Sequence, residues 1–224
     1  MKRGLRALLL VGLGALLVSC DWLSVEPVLP PTAAPTGVTA SFGTSQNSIT
    51  ISWNAVERAT YYKVFRANAA DGEYEELGPS SSTSFTDSVE NQGTWYWYKV
   101  QACNSAGCGP ESAPVRGYAG RPPKPENVQA SDGTFLDKIV IGWDQVPGAT
   151  SYDVFRDPSP QAGCQGLCYL GQSNTNSYED KQARPGVKYQ YAVRAWNDFG
   201  SSALSETDWG CLNPCPPLFS LDEE

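Results

Sequence analysis

Seven cysteines carry most of the chemistry open to this 224-residue chain: Cys20, Cys103, Cys108, Cys164, Cys168, Cys211 and Cys215. There is no histidine. That removes the commonest general base and the commonest metal ligand together, and excludes Ser-His-Asp, Cys-His and HExxH chemistries. Six of the cysteines fall into three sequence-close pairs. Cys103 and Cys108 flank Asn-Ser-Ala-Gly, and this spacing across a tight hairpin brings the Cβ atoms within bridging reach. So small a loop gains little entropy from a bridge; the bridge mainly rigidifies the turn. Cys164, Cys168, Cys211 and Cys215 allow three connectivities. Proximity favours Cys164–Cys168 with Cys211–Cys215, while a cross-link such as Cys168–Cys211 stays open. A four-thiolate zinc site is the competing use, but both C-x3-C spacings depart from the C-x2-C knuckle common in such sites. We expect no metal and no cofactor. The carboxylates are scattered, and there is neither a phosphate loop nor a serine elbow, so we expect no enzyme.

The formal charge of the whole chain is −8. Residues 1–19 hold Lys2, Arg3 and Arg6 and no acid, so the remainder carries −11. Such a chain repels phosphate backbones and anionic headgroups, and nucleic acid is not an expected partner. The basic start is followed by twelve apolar residues, Ala7 to Val18. That run is too short to span a bilayer and suits a secretory signal. Its ending, Leu17-Val18-Ser19-Cys20, resembles the lipobox of bacterial lipoproteins. The resemblance implies cleavage before Cys20, acylation of its thiol, and a protein anchored outside the cytoplasm, where thiols oxidise in preference to binding zinc. Residues 20–34 hold Pro27, Pro30 and Pro31 and no apolar period, and read as a polyproline-like tether that at about 3.1 Å per residue spans roughly 45 Å.

Behind these residues stands a unit written twice. Ser48–Trp53 aligns with Lys138–Trp143, and Thr60–Arg66 with Thr150–Arg156, at an offset of 90. Tyr96–Asn104 aligns with Tyr189–Asn197 at 93, so three residues are inserted between Arg156 and Leu170. Apolar and polar residues alternate over short runs broken by Gly, Ser, Asn, Asp and Pro, as in half-buried strands of an all-β sandwich. In the first unit strands are expected near 37–41, 48–53, 60–67, 74–77, 84–87, 94–104 and 112–118. In the second they fall near 127–131, 138–143, 150–156, 168–171, 177–180, 187–197 and 203–208.

The strand-B tryptophans Trp53 and Trp143, the Tyr-x-Val stretches after them, and the strands ending in Asn104 and Asn197 resemble the fibronectin type III family. Tyr96 and Tyr189 match its tyrosine corner, and Cys103-Asn-Ser-Ala-Gly-Cys108 is similar to a hairpin in bacterial members. The resemblance implies two tandem seven-stranded immunoglobulin-like sandwiches. The expected organisation is a signal peptide at 1–19, a lipidated tether at 20–34, domain 1 at 35–119, a Pro-rich linker at 120–125, domain 2 at 126–209, and an acidic cysteine-bearing tail at 210–224. The prolines of the linker predict an extended pair of domains.

Alternation turns Tyr96, Tyr98, Val100 and Ala102 inward and Trp95, Trp97, Lys99 and Gln101 outward. On the neighbouring strand Tyr61, Lys63 and Phe65 face out. Tyr61, Phe65, Trp95 and Trp97 thus form a candidate aromatic band, for which the second unit has Ser151, Lys188 and Gln190 at three of the four places. Such rings stack on sugars or anchor protein partners; equally, they can cover one another, the tether or the second domain. The resulting expectation is a non-catalytic, membrane-anchored interaction or spacer protein of the bacterial cell envelope. Its partner is an unknown protein or glycan, the membrane being held through Cys20. The alternative is a carbohydrate-binding lipoprotein using the aromatic band.

Overall fold

The computed structural model describes residues 26–158 and 164–215. The expected signal peptide, Cys20 and the last nine residues lie outside the described residues. No described helix is long and apolar enough to cross a membrane.

The first unit runs β1 (Thr39–Ala40), β2 (Ser48–Ser52), β3 (Tyr61–Ala67), β4 (Glu75–Ser80), β5 (Ser84–Ser88), β6 (Tyr96–Asn104), β7 (Gly107–Glu111) and β8 (Val115–Gly117). The second runs β9 (Gln129–Ala130), β10 (Ile139–Gly142), β11 (Ser151–Asp157), β12 (Cys168–Ser173), β13 (Ser177–Asp180), β14 (Lys188–Asn197), β15 (Gly200–Ser201) and β16 (Asp208–Cys211). In the first unit a β1-β2-β5 sheet faces a β4-β3-β6-β7 sheet, with β8 also on β6. The second repeats this as β13-β10-β9 and β12-β11-β14-β15, with β16 on β14. All pairings between these strands are antiparallel and stay within a unit, and two isolated bridges, Phe42–Tyr118 and Asp132–Cys211, are parallel. Two tandem all-β sandwiches of the immunoglobulin-like, fibronectin type III kind result.

The expected last strands, 112–118 and 203–208, are displaced: the last strand is split into β7 and β8 in the first unit and β15 and β16 in the second, and residues 203–207 fall in the gap. The break has a visible cause. Ser112 points its hydroxyl back at β6 and accepts the Val100 N–H at 3.0 Å. Ser205 does the same to Val193 at 2.9 Å, and Ser202 to Ala195 at 2.9 Å. A side-chain oxygen stands in for a carbonyl of the ladder, so the strand detaches and re-pairs further on.

The cores follow the alternation. Tyr62, Val64, Tyr98, Val100 and Ala102 are buried with Ile49, Ile51 and Trp53 in the first. Tyr152, Val154, Tyr191, Val193 and Ala195 are buried with Ile139, Ile141 and Trp143 in the second. Trp53 packs on Tyr62, and Trp143 on Tyr152, with ring centroids 5.2 Å apart in both pairs. Tyr189, at the expected tyrosine corner, accepts the Arg184 N–H at 3.1 Å. Each core also encloses one ion pair. Arg66 donates to both oxygens of Asp87, and Tyr98 donates to Asp87 at 2.8 Å. Arg156 and Tyr191 converge on Asp180 in the same way.

Candidate functional site

The band residues do not form one continuous platform. Trp97 sits on β6 opposite Ala67 and Arg116. Phe65 lies between Glu76 and Lys99, diagonal to Trp97 in the ladder. Tyr61 is opposite Cys103, roughly 13 Å along the strand from Phe65 at about 3.3 Å per residue. Between them Lys63 donates to Glu76 at 2.9 Å, and this hydrogen bond to the carboxylate raises the Lys63 pKa. Lys99 is tied to Glu111 at 3.3 Å.

Trp95 precedes β6 and is packed against other rings. Its ring meets Tyr118 edge-on at 5.2 Å and Phe42 at 6.1 Å. The Arg116 guanidinium lies 4.1 Å from the Trp95 ring centroid and 5.7 Å from that of Trp97, within cation–π range.

The Phe42–Trp95–Tyr118 cluster lies where the two sandwiches meet. Tyr118 is fully buried and donates its hydroxyl to Pro147 O at 2.7 Å. Burial pushes its pKa up to about 12. A Cβ on Gly148 would come within 2.7 Å of Phe42 O and of the Tyr118 hydroxyl; with φ at +81°, only glycine suits this position. From the other side Asn197 donates to Gly120 O at 2.9 Å. Its own side-chain oxygen accepts the Phe199 N–H at 2.9 Å. Pro122, Pro123 and Pro125 of the linker are buried.

A matching clasp holds the segment in front of domain 1. Asn104, the counterpart of Asn197, donates to Leu29 O at 2.7 Å and Arg58 O at 2.9 Å, and accepts the Ala106 N–H at 2.9 Å. Pro31 is buried, and its carbonyl would lie 2.6 Å from a Cβ on Gly109. The absent side chain is what lets the segment lie along β7. The Cys103–Cys108 bridge, with Cα atoms 4.0 Å apart, closes the turn that presents Asn104. The expected tether is therefore laid on the sandwich from residue 26 onward, and the span open to a free tether shortens accordingly.

The remaining cysteines are bridged locally, Cys164 to Cys168 and Cys211 to Cys215. Asp132 lies close to Cys211 and Cys215, but both sulfurs are taken up in their bridge.

The outer face of domain 2 holds a cluster that the offsets did not reveal. Arg194 lies 5.0 Å from the Phe155 ring centroid and 5.1 Å from that of Trp196. Asp153 accepts from Arg194 at 2.8 Å and from the Trp196 indole at 2.7 Å. Tyr169, opposite Phe155, and Trp209, opposite Gln190, are 45% and 47% exposed. Matching the second unit only against band positions in the first hid Tyr169 and Trp209. Their own alternation within β12 and β16 would have found them.

Residues 33–118 match the family model described as Fibronectin type III domain, so the chain contains a domain of that family. Among curated proteins, Exoglucanase B of Cellulomonas fimi is 28% identical over 203 residues, 84% of this chain and 17% of that protein. Fibronectin type III domain-containing protein 7 of Mus musculus is 30% identical over 161 residues, 70% of this chain and 20% of that protein. The chain thus spans a fifth or less of either relative. Among solved structures, a two-domain fibronectin type III segment of chicken tenascin is 18% identical, with a TM-score of 0.36. It covers 79% of this chain and 98% of its own.

Proposed function

We propose that this chain is a non-catalytic, lipid-anchored spacer of the bacterial cell envelope that presents an interaction surface outside the cytoplasm. The observation that carries this reading is the clasped joint. A spacer needs a fixed geometry, and here Tyr118, Gly148 and Asn197 join the two sandwiches through specific hydrogen bonds and close contact, where a free linker would leave them independent. The buried carboxylates support the non-catalytic part: Asp87, Asp153 and Asp180 each hold an arginine, leaving them poorly placed to take a proton from a substrate. The anchor rests on Cys20 and the residues before it. Cell fractionation with mass spectrometry of the mature N-terminus tests it. Wild type should appear in the membrane fraction with acylated Cys20, and Cys20→Ser should be released. A soluble, unacylated wild type would remove the anchored reading.

The second reading is glycan binding. Exposed Tyr169 and Trp209 on one sheet face favour it, as does the similarity to Exoglucanase B, by its name an enzyme acting on glucans. Because Trp95 is packed against Phe42 and Tyr118, we assign this second reading to domain 2. A glycan array probed with wild type and a Tyr169→Ala/Trp209→Ala variant separates the two readings.

A further inference from the structure

The two sandwiches are built alike, so each surface of one has a counterpart on the other. The leading pole of domain 2 consists of the loop at Pro147-Gly148, Asn197 and the clasped Gly120. Domain 1 is seated on it through Phe42 and Tyr118. The counterpart pole of domain 1 consists of Glu57-Arg58, Asn104 and the clasped Leu29. Arg58 occupies the place of Gly148 and also has positive φ, +66° against +81°. At that place domain 2 must have glycine because another body presses on it. Domain 1 carries an arginine whose side chain is half exposed. Beside it Val28 and Leu29 are 59% and 52% exposed, unusual for apolar residues on a segment held in place. Glu26 to Leu29, Arg58, Thr60, Asn104 and Ser105 line a shallow, mostly apolar hollow there.

We infer that this pole rests on the lipid surface, as domain 2 rests on domain 1; the inference rests on acylation of Cys20, proposed above. Two observations select that occupant. The first is chain length. Cys20 lies six residues before Glu26, a reach of at most about 22 Å even fully extended. Because Asn104 clasps the chain at Leu29, the acyl chains emerge beside this pole and no other. The second is the structure of the far end, which argues against a second copy stacked head to tail. Where domain 1 carries the docking pair Phe42 and Tyr118, domain 2 carries Asp132 and Cys211, bridged in parallel in the same way and closed by the Cys211–Cys215 link. Exposed Glu26 and Glu57 flank Arg58, so the pole suits a zwitterionic surface better than an anionic one. Val28 and Leu29 then dip into the headgroup boundary and fix the tilt of the rod that the acyl chains hold.

The test uses the full mature chain, acylated, in phosphatidylcholine vesicles brominated near the glycerol end of their acyl chains. A fluorescent amino acid stands at Val28 in one sample. In another it stands at Leu136, 74% exposed on the loop after β9 at the far pole. We expect quenching at Val28 at least about threefold stronger than at Leu136, as for side chains lying in the interface. Equal quenching at both sites, with Cys20 shown by mass spectrometry to be acylated, overturns the inference and leaves the anchor intact. A chain lacking acyl groups and failing to sediment with vesicles overturns both, and the mass spectrum tells the cases apart. Crosslinking from Val28 in native membranes to a protein in place of lipid also overturns it. The variant Asn104→Ala supplies a second readout: co-sedimentation should persist while quenching at a Ser105 probe falls.

Discussion

Arg66, Asp87 and Tyr98 in the first sandwich, and Arg156, Asp180 and Tyr191 in the second, form the same group at the same places. The two poles that meet at the joint resemble their counterparts only in the asparagine clasps, Asn104 and Asn197. Phe42 and Tyr118 answer to Asp132 and Cys211, Arg58 to Gly148, and Trp95 to Lys188. The fold sets what lies inside, and it acts on both units equally. Neighbours set what lies at the poles, and each unit has different neighbours. The asymmetry of the aromatic residues is therefore largely a record of position in the chain. Trp95 packs on Phe42 and Tyr118, the two residues that meet domain 2. At the corresponding place Lys188 pairs with Cys211 of the disulfide-closed turn.

The interior groups are alike in bonding but not in burial, and this gives the largest expected effect. The Arg156 and Asp180 side chains are 2% and 1% exposed, those of Arg66 and Asp87 26% and 7%. Removing one partner from a fully buried pair leaves an uncompensated charge and costs about 3–5 kcal/mol. Asp180→Ala should lose that much in urea unfolding of domain 2. Asp87→Ala should lose roughly half, because water reaches Arg66 and solvates what remains. Equal losses from the two variants would break the comparison by showing that burial does not set the strength of the pair.

Gly148 and Arg58 are the next lever. A side chain at Gly148 would collide with Phe42 O and the Tyr118 hydroxyl, and overpacking of this kind costs about 1–3 kcal/mol, with positive φ adding strain. Gly148→Arg should free the two domains to tumble separately, seen in their NMR relaxation rates, while each domain keeps its own unfolding transition. The reciprocal Arg58→Gly should leave stability within about 0.5 kcal/mol, as surface changes do. If Gly148→Arg leaves the domains tumbling as one, the joint is not held where the close contacts place it.

Much of this molecule was legible from its residues. The offsets of 90 and 93 found both units, and alternation placed Tyr62, Val64, Tyr98 and Val100 in the first core. The broken last strands were not legible, since Ser112 and Ser205 look like ordinary loop serines until their hydroxyls are seen to replace carbonyls of the ladder. Nor was the destination of Trp95. Alternation tells which face a strand residue takes, but Trp95 precedes its strand, and its partners at positions 42 and 118 come from other segments. A signal was nonetheless present. Phe42, Tyr118 and Gly148 all differ in type from their counterparts in the other unit, and residues that break a repeat together mark what the repeat does not determine.

The finest expected effect isolates the single hydrogen bond across the joint. Tyr118→Phe keeps the ring against Trp95 and Phe42 and removes only the donor to Pro147 O. The net loss should be about 1 kcal/mol of coupling between the domains, and Pro147 O is left facing an apolar edge. The same bond can be removed by pH in the wild type. The Tyr118 pKa is raised by burial from 10.0 to about 12. A group raised in the folded state contributes fully below its unfolded pKa and loses that contribution as pH climbs through the folded one. The joint should thus be intact up to about pH 10 and weaken between roughly 10 and 12. Absorbance of tyrosinate at 295 nm, followed alongside domain tumbling, would show whether the loosening coincides with ionisation of the Tyr118 ring. In the Tyr118→Phe protein the joint should already be looser at pH 8 and show no further change tied to this ring. Identical alkaline loosening in wild type and Tyr118→Phe would assign the pH response to Tyr98 and Tyr191, whose pKa values burial also raises. It would then belong to the shared interior and not to the pole.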